Sequence, residues 1–420
     1  MILAFCSYVL QFFHYTRDES ELQRKHGSGI LKKTLLIIQR KTLLIRRENM
    51  GNKKQESGKK KKPPGIRILK WIGVILLIIV LAVAGLFAFL TITEYKPEDV
   101  QTLDIEPSEE DPGDAAQKNT YTVVSWNTGY GALGDNADFF MDGGTHVKTA
   151  DKDRVLQNVG DMSGALKEID PDFIFLQEVD VDSHRSSYVD ESGMFAEAFP
   201  EMDSTFATNY RVAFIPYPVP PIGSVESGIM TLSDCRIREA ERVALPCPFS
   251  WPVRLGNLKR CLLVSRIRLD GEEDKELVLV NLHLEAYDSG EGKIEQTKLL
   301  AQILNEEREK GNYVIAGGDF NQAFSEEEQS LYQIPGDLWR PGLLDADVFG
   351  EGWQLLTDAT VPTCRSLDKP LEGADSEYFQ YYVIDGFIVS DNVKVESLET
   401  QSLHFTATDH NPVVLKFTLK

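Results

Sequence analysis

Tyr313-Val314-Ile315-Ala316-Gly317-Gly318-Asp319-Phe320-Asn321 is the stretch on which the reading of this chain turns. Val314, Ile315 and Ala316 form an apolar run bounded by turn residues, the pattern of a buried strand. Gly317 and Gly318 permit close approaches that a side chain would resist. The run ends in a carboxylate and an amide, Asp319 and Asn321, at i and i+2. If the chain stays extended, both point to the same side, an arrangement suited to a metal or a phosphate. Gly-Asp-x-Asn is equally good turn chemistry, so this stretch alone leaves turn and site open.

Working outward, other apolar runs end the same way. Tyr121–Trp126 leads into Asn127, and Phe173–Leu176 into Gln177-Glu178. His283 lies within the strand pattern Glu276–Leu284, and Asp385 within Tyr381–Val389. Asp409-His410 sits just before the strand pattern Val413–Leu419. Each has an ordinary explanation alone: a turn, a solvated end, a satisfied core histidine, a strand-end cap. Together they are harder to dismiss, because strand ends on one sheet edge converge and sites form there.

Between these runs, apolar spacing predicts helices over Asp153–Ile169 and Glu291–Glu309. Phe206–Phe214 and Gly228–Leu232 read as strands, and Cys261–Leu269 with Glu276–Leu284 as a hairpin about Asp270-Gly271. Strands and helices do not alternate strictly, so a doubly wound sheet fits poorly. An α/β body of two packed sheets with helices outside fits better. No internal repeat is visible.

Charge divides the chain. Residues 1–70 carry 17 Lys and Arg against 5 Asp and Glu, or +12, leaving −33 on the remainder of a chain with net charge −21. An acidic body repels polyanions at long range, which argues against a nonspecific DNA-binding enzyme but not against a small anion held by a metal. Trp71–Thr93 is 23 residues without a charge, enough to span a bilayer as a helix. Lys59–Lys62, Arg67 and Lys70 precede it, and Glu94, Glu98 and Asp99 follow. The positive-inside rule then puts residues 1–70 in the cytoplasm as a basic tail and the body outside the cell membrane on a single-pass anchor. Residues 94–119, rich in Glu, Asp and Pro, read as an acidic linker before one domain at 120–420. Met50, followed by the lysines and the helix, is an expected translation start, with 1–49 an over-extended frame or a basic tail. None of the five cysteines shows C-x-x-C spacing, which speaks against zinc. Cys247 and Cys261 flank a Pro-rich loop and read either as a bridge or as free thiols.

The polar set suits phosphoester hydrolysis with a hard divalent cation. Mg²⁺ needs only a few carboxylate or amide oxygens and keeps several waters. A histidine beside a buried carboxylate is held charged, and an unliganded aspartate can take a proton from water.

In order and residues, SWNTG (125–129), FLQEVD (175–180), SGIMTLS (227–233), VNLHL (280–284), GGDFN (317–321), YVIDGF (382–387) and TDHNPV (408–413) resemble the endonuclease/exonuclease/phosphatase superfamily, the DNase I-like metallophosphoesterases, in a membrane-anchored bacterial-type form. The resemblance spans essentially all of 121–420 and implies a four-layer α/β sandwich of two mixed sheets flanked by helices. It implies that Asn127, Glu178 and Asp409 hold Mg²⁺ (or Mn²⁺), with Glu178 the main ligand and Asp409 a further metal-side or histidine-supporting carboxylate. It makes Asp319 the group that positions or deprotonates the water and Asn321 a contact to the scissile phosphate. His410, supported by Asp385, stabilises the transition state or acts as acid or base, and His283 touches phosphate oxygens. His283 resembles the sphingomyelinase, DNase I and phosphatase branches; Tyr382-Val383-Ile384-Asp385-Gly386 departs from the inositol-polyphosphate phosphatase pattern. Asn209-Tyr210-Arg211 with Pro216-Tyr217-Pro218 resembles the substrate-facing strand of sphingomyelinase-like members. Residues 246–252 (PCPFSWP) could meet a lipid surface or simply pack as a loop, and His184 and Arg185 could meet phosphate or lie in a solvated loop. The expected activity is a phosphodiesterase or phosphatase acting outside the cytoplasm on a lipid-like or small phosphoester. An extracellular DNase I-like nuclease is the alternative, and a non-catalytic binding domain on the same fold a third.

Overall fold

The computed structural model describes residues 64–116, 119–287, 290–332, 338–375 and 379–420. The basic tail through residue 63, including Met50 and Cys6, lies outside the described residues. The first element is helix α1, Pro64–Ile92. Within it Ile68–Ile92 is long and apolar enough to cross a membrane, and Ile68–Leu81 is exposed in large part, whereas Leu90 near its end is buried.

The body holds two seven-stranded mixed sheets and two short two-stranded ones, β11 (Gln322–Ala323) with β12 (Gly342–Leu343) and β14 (Cys364–Arg365) with β15 (Tyr381–Tyr382). The first contains β1 (Val100–Thr102), β7 (Ile237–Ala244), β8 (Cys261–Leu269), β9 (Glu272–His283), β10 (Tyr313–Asp319), β13 (Trp353–Leu356) and β16 (Asp385–Ser390), in the order β1-β7-β8-β9-β10-β16-β13. The second contains β2 (Ile105–Glu106), β3 (Thr120–Asn127), β4 (Phe173–Asp180), β5 (Asp203–Ile215), β6 (Gly223–Ser233), β17 (Val393–Thr400) and β18 (Val413–Leu419), in the order β17-β18-β3-β4-β6-β5-β2.

Strand alternation builds the layers. Val123, Phe173, Phe175, Leu279, Ile315, Phe387 and Leu415 face inward and fill the space between the sheets. Their neighbours Val124, Ile174 and Leu176 face the other way, onto Val155, Val159, Met162 and Leu166 of helix α2 (Lys152–Ile169) and Phe195 of α3 (Glu191–Ala198). On the far side, Val278, Val280, Val314 and Ala316 meet Leu300, Ala301 and Leu304 of α4 (Glu291–Glu309). Helix, sheet, sheet, helix is the four-layer sandwich that the resemblance implied. Burial on both faces explains why the central strands read as continuous apolar runs. Parallel pairs join β3 to β4 and β9 to β10, with α2 and α4 as their crossovers. The carboxyl ends of these four strands therefore lie on one edge.

Two expectations are overturned, and the open reading of Cys247 and Cys261 is decided. Residues 94–119 are no free linker: Val100–Thr102 pairs with β7, Ile105–Glu106 with β5, and Ala115 bridges Leu269. These contacts are made by backbone, so the acidic composition did not reveal them. Tyr381–Val389 is two strands, β15 (Tyr381–Tyr382) and β16, broken at Val383-Ile384, where the Thr363 hydroxyl accepts the Ile384 and Asp385 N–H groups. Cys247 and Cys261 are not bridged: both are free, Cys247 exposed and Cys261 wholly buried beside Ala207 and Ile229.

Candidate active site

Asp319 stands at the end of β10, in register with His283 on one side and Asp385 on the other. The strand reaches this point through two glycines for steric reasons. A β-carbon on Gly317 would lie 2.4 Å from the Phe387 ring, and one on Gly318 would lie 1.9 Å from the Leu282 carbonyl oxygen. The chain does not stay extended beyond Asp319. Asn321 adopts φ 51°, its N–H donates to Asp319 Oδ1 at 2.8 Å, and its side-chain amide donates to the Leu284 carbonyl at 2.9 Å. The turn and the site are thus the same structure.

The second sheet supplies the opposite wall. Asn127, at the end of β3, donates from Nδ2 to Asp319 Oδ2 at 3.1 Å and lies 3.3 Å from Glu178 Oε1. Its own Oδ1 accepts the Gly129 N–H at 3.0 Å, which fixes the amide orientation. Glu178 lies within β4 at an irregularity between Leu176 and Val179 and has φ 56°. That kink turns Glu178 out of the ladder, leaving its side chain 26% exposed among groups that are nearly closed off. His283 Nε2 lies 3.5 Å from Asp319 Oδ2 and 4.0 Å from Glu178 Oε1, while its Nδ1 is buried without a hydrogen bond. His410 Nδ1 meets Asp385 Oδ2 at 2.9 Å, and its Nε2 lies 3.8 Å from Asp319 Oδ2. Asp409 is buried beside the Thr408 hydroxyl, which also donates to the Asn127 carbonyl. All eight candidates gather where the two sheets meet.

Their electrostatics separate them. Burial raises the Asp319 carboxyl to about 7, with the Asp385 charge adding to the rise. Burial opposes charge on His410, but the adjoining Asp385 carboxylate outweighs it and holds the imidazolium well above the usual value. His283 is pushed well below its usual value, first by burial and then by Arg260 and His410, so it is neutral. Glu178 and Asp409 are both raised by burial, and the Asp409 charge raises Glu178 further.

This charge pattern tests the fit to a divalent cation. Ligand atoms of Asp319, Asp385 and His410 lie within 4.8 Å of one another, as do those of Cys364, Asp409 and His410. An imidazolium already bonded to Asp385 is a poor ligand, and burial pushes the Cys364 thiol up to about 12, so it is no thiolate. What remains is a pair of carboxylates, Glu178 and Asp409, whose charges repel one another, the donor chemistry of a hard cation; Asn127 would join them only by turning its Oδ1 away from the Gly129 N–H. The residues fit such an ion.

Around the cluster, Arg185 and His184 take neither of the roles left open for them in sequence, and the other supporting residues were not legible there. Arg185 is neither solvated nor free for phosphate: Asp180 grips it through two bonds of 3.0 and 2.8 Å, and it lies 3.7 Å from the centre of the Tyr130 ring. Glu191, buried behind them, accepts the Asp180 N–H at 3.2 Å. His184 bonds the Ile222 carbonyl. Across the mouth, the Tyr287 hydroxyl donates to Asp142 at 2.9 Å. Arg260 ties to the His283 carbonyl and to Glu285. Only their positions in space reveal them, since none ends an apolar run.

Comparison with known proteins agrees with this geometry. The sequence pattern of the Endonuclease/Exonuclease/phosphatase family matches residues 124–371, more than half of the chain. An endonuclease/exonuclease/phosphatase from Beutenbergia cavernae DSM 12333 is similar in structure, with a TM-score of 0.50 at 16% identity over 72% of this chain and 72% of that one. The D. rerio TDP2 structure complexed with single strand DNA product has a TM-score of 0.45 at 18% identity, over 71% of this chain and 99% of that one. An endonuclease/exonuclease/phosphatase family protein from Bacteroides thetaiotaomicron has a TM-score of 0.44 at 17% identity, over 72% and 99%. No curated protein sequence matches the chain. Members of the matched family are hydrolases acting on phosphoester bonds with divalent metals. With its two mixed sheets, flanking helices and strand-end cluster, the chain belongs to the endonuclease/exonuclease/phosphatase family.

Proposed function

We propose that this chain is a membrane-anchored, metal-dependent phosphoester hydrolase acting outside the cytoplasm on a lipid-like or small phosphoester. The observation that carries the reading is Asp319, ringed by Asn127, His283, Asp385 and His410 from both sheets. Glu178, Asn127 and Asp409 would hold Mg²⁺ or Mn²⁺, which when bound sets positive charge against the phosphate oxygens. Asp319, with a carboxyl near neutrality, accepts a proton from water as the water oxygen attacks phosphorus. As the bond from phosphorus to the leaving oxygen breaks, the His410 imidazolium, kept charged by Asp385, stabilises the developing negative charge. Neutral His283 and Asn321 orient phosphate oxygens.

The anchor in this reading is residues 71–93. Lysines before it and acidic residues after it support an external body. The −33 balance of residues 71–420 disfavours a nuclease, and a non-catalytic binding role would not need all eight residues.

A side-by-side panel of sphingomyelin, glycerophosphodiesters, a small phosphomonoester and DNA, with and without EDTA, tests this. EDTA-sensitive cleavage of the lipid or small substrates is expected. DNA cleavage exceeding theirs establishes the nuclease instead, and no cleavage of any substrate contradicts an enzymatic role.

A further inference from the structure

The chain leaves helix α1 on the catalytic edge of the body. Strand register shows it. His283 ends β9, and β8 runs antiparallel with Leu262 opposite Leu282, so the loop before Cys261 lies on the His283 edge. Ala244 of β7 is opposite Cys261, and Val100 of β1 is opposite Val243, so β1 begins on that edge too. Three strand spacings separate β1 from β9 in the sheet, about 14 Å.

The exit is clamped there. Glu94, 3% exposed, meets Arg254 at 3.1 Å, Lys96 at 3.3 Å and Lys259 at 3.6 Å. The Trp251 indole donates to Thr91 Oγ1 at 3.2 Å and lies 6.0 Å from the Phe87 ring. The same loop reaches the site: Gly256 accepts the Tyr210 hydroxyl, Tyr210 lies beside Arg185, and Arg260 bonds the His283 carbonyl.

Apolar groups project from this edge. Trp251 is 51% exposed although it touches the helix end. In the second sheet Asp180 of β4 is opposite Ser227, yet β6 begins only at Gly223, so the β5–β6 hairpin overhangs the edge by about four residues, ~13 Å. Its tip carries Val219, 94% exposed among prolines. Exposed Trp251 beside the end of a membrane-length helix, with Val219 projecting from the same edge of the body, fits the interface of the bilayer that the helix would enter.

We infer that the catalytic mouth works against the surface of its own bilayer, with Trp251 and Val219 as the docking contacts, and that the substrate is the head-group phosphoester of a lipid in that membrane. This rests on the hydrolase and anchor reading above.

The full chain is reconstituted into phosphatidylcholine, phosphatidylglycerol and sphingomyelin vesicles carrying head-group label. Bis(p-nitrophenyl) phosphate in solution reads the chemistry alone. Head-group release from the enzyme's own vesicles is expected to exceed release from added protein-free vesicles. Val219→Asp is expected to reduce it ~10-fold while leaving the soluble diester within ~2-fold. An environment-sensitive label at Val219→Cys, with Cys6 and Cys247 replaced by Ser, is expected to be shielded from aqueous iodide. Cleavage of the soluble diester with no lipid release, equal release from the added vesicles, or an iodide-accessible label overturns the inference and leaves the hydrolase reading intact. Failure to cleave even the soluble diester overturns that reading and this inference with it.

Discussion

At the level of single residues, catalysis depends on which groups carry charge. Asp385 matters through His410: with Asn at 385, the imidazole loses the carboxylate that outweighs its burial. Asp385→Asn is expected to lower kcat by ~100-fold or more with a smaller change in KM, measured on a soluble phosphodiester. Asp319 gives a second prediction, for metal-free protein. Its folded carboxyl titrates at about 7 against an ordinary 3.8. Between those pH values the folded protein keeps a proton that the unfolded chain has released, so stability falls as pH rises through that window. Asp319→Asn removes this penalty and is expected to raise stability over the unsubstituted protein by roughly 1–3 kcal/mol at pH 8. The advantage should shrink towards pH 5, as urea unfolding at both pH values will show. The eight candidates were legible in sequence because each sits at or beside the end of an apolar run. Asp180, Glu191 and the Asp142–Tyr287 pair were not, because their meaning lies in contacts between distant loops.

At the scale of elements, legibility followed burial. Glu291–Glu309 and Val413–Leu419 have the expected bounds, because a helix with one packed face and a strand in a core carry clear periodicity. β7, β17 and α3 gave no such signal. β7 and β17 carry charged residues on their exposed faces, and α3 is eight residues long. β10 is the element on which the site depends, and its glycines are a steric requirement. A methyl on Gly318 would press on the Leu282 carbonyl, which belongs to the neighbouring strand and cannot swing away. Gly318→Ala is expected to cost more than ~3 kcal/mol and to displace Asp319 from His283. Chemical denaturation and loss of turnover in the remaining folded protein check it.

At the scale of the whole molecule, the chain closes a single centre from segments nearly 300 residues apart, with Asn127 and His410 both within reach of Asp319. The acidic segment after the helix belongs to the same body, since its strands complete the edge of each sheet. A chain beginning at Tyr121 is therefore expected to unfold several degrees below one beginning at Glu94, as calorimetry will show, because it loses both edge pairings and the Ala115 bridge. In the proposed function these distant segments make one metal-dependent hydrolytic site with Glu178 as its main ligand. The most direct measurement is turnover of bis(p-nitrophenyl) phosphate by EDTA-treated protein as Mg²⁺ is added back, for the unsubstituted chain and for Glu178→Gln. Recovery of turnover is expected in the first, and a requirement for ~100-fold more Mg²⁺ or no recovery in the second. Turnover that survives EDTA, or a Glu178→Gln curve that overlays the unsubstituted one, would contradict that site assignment.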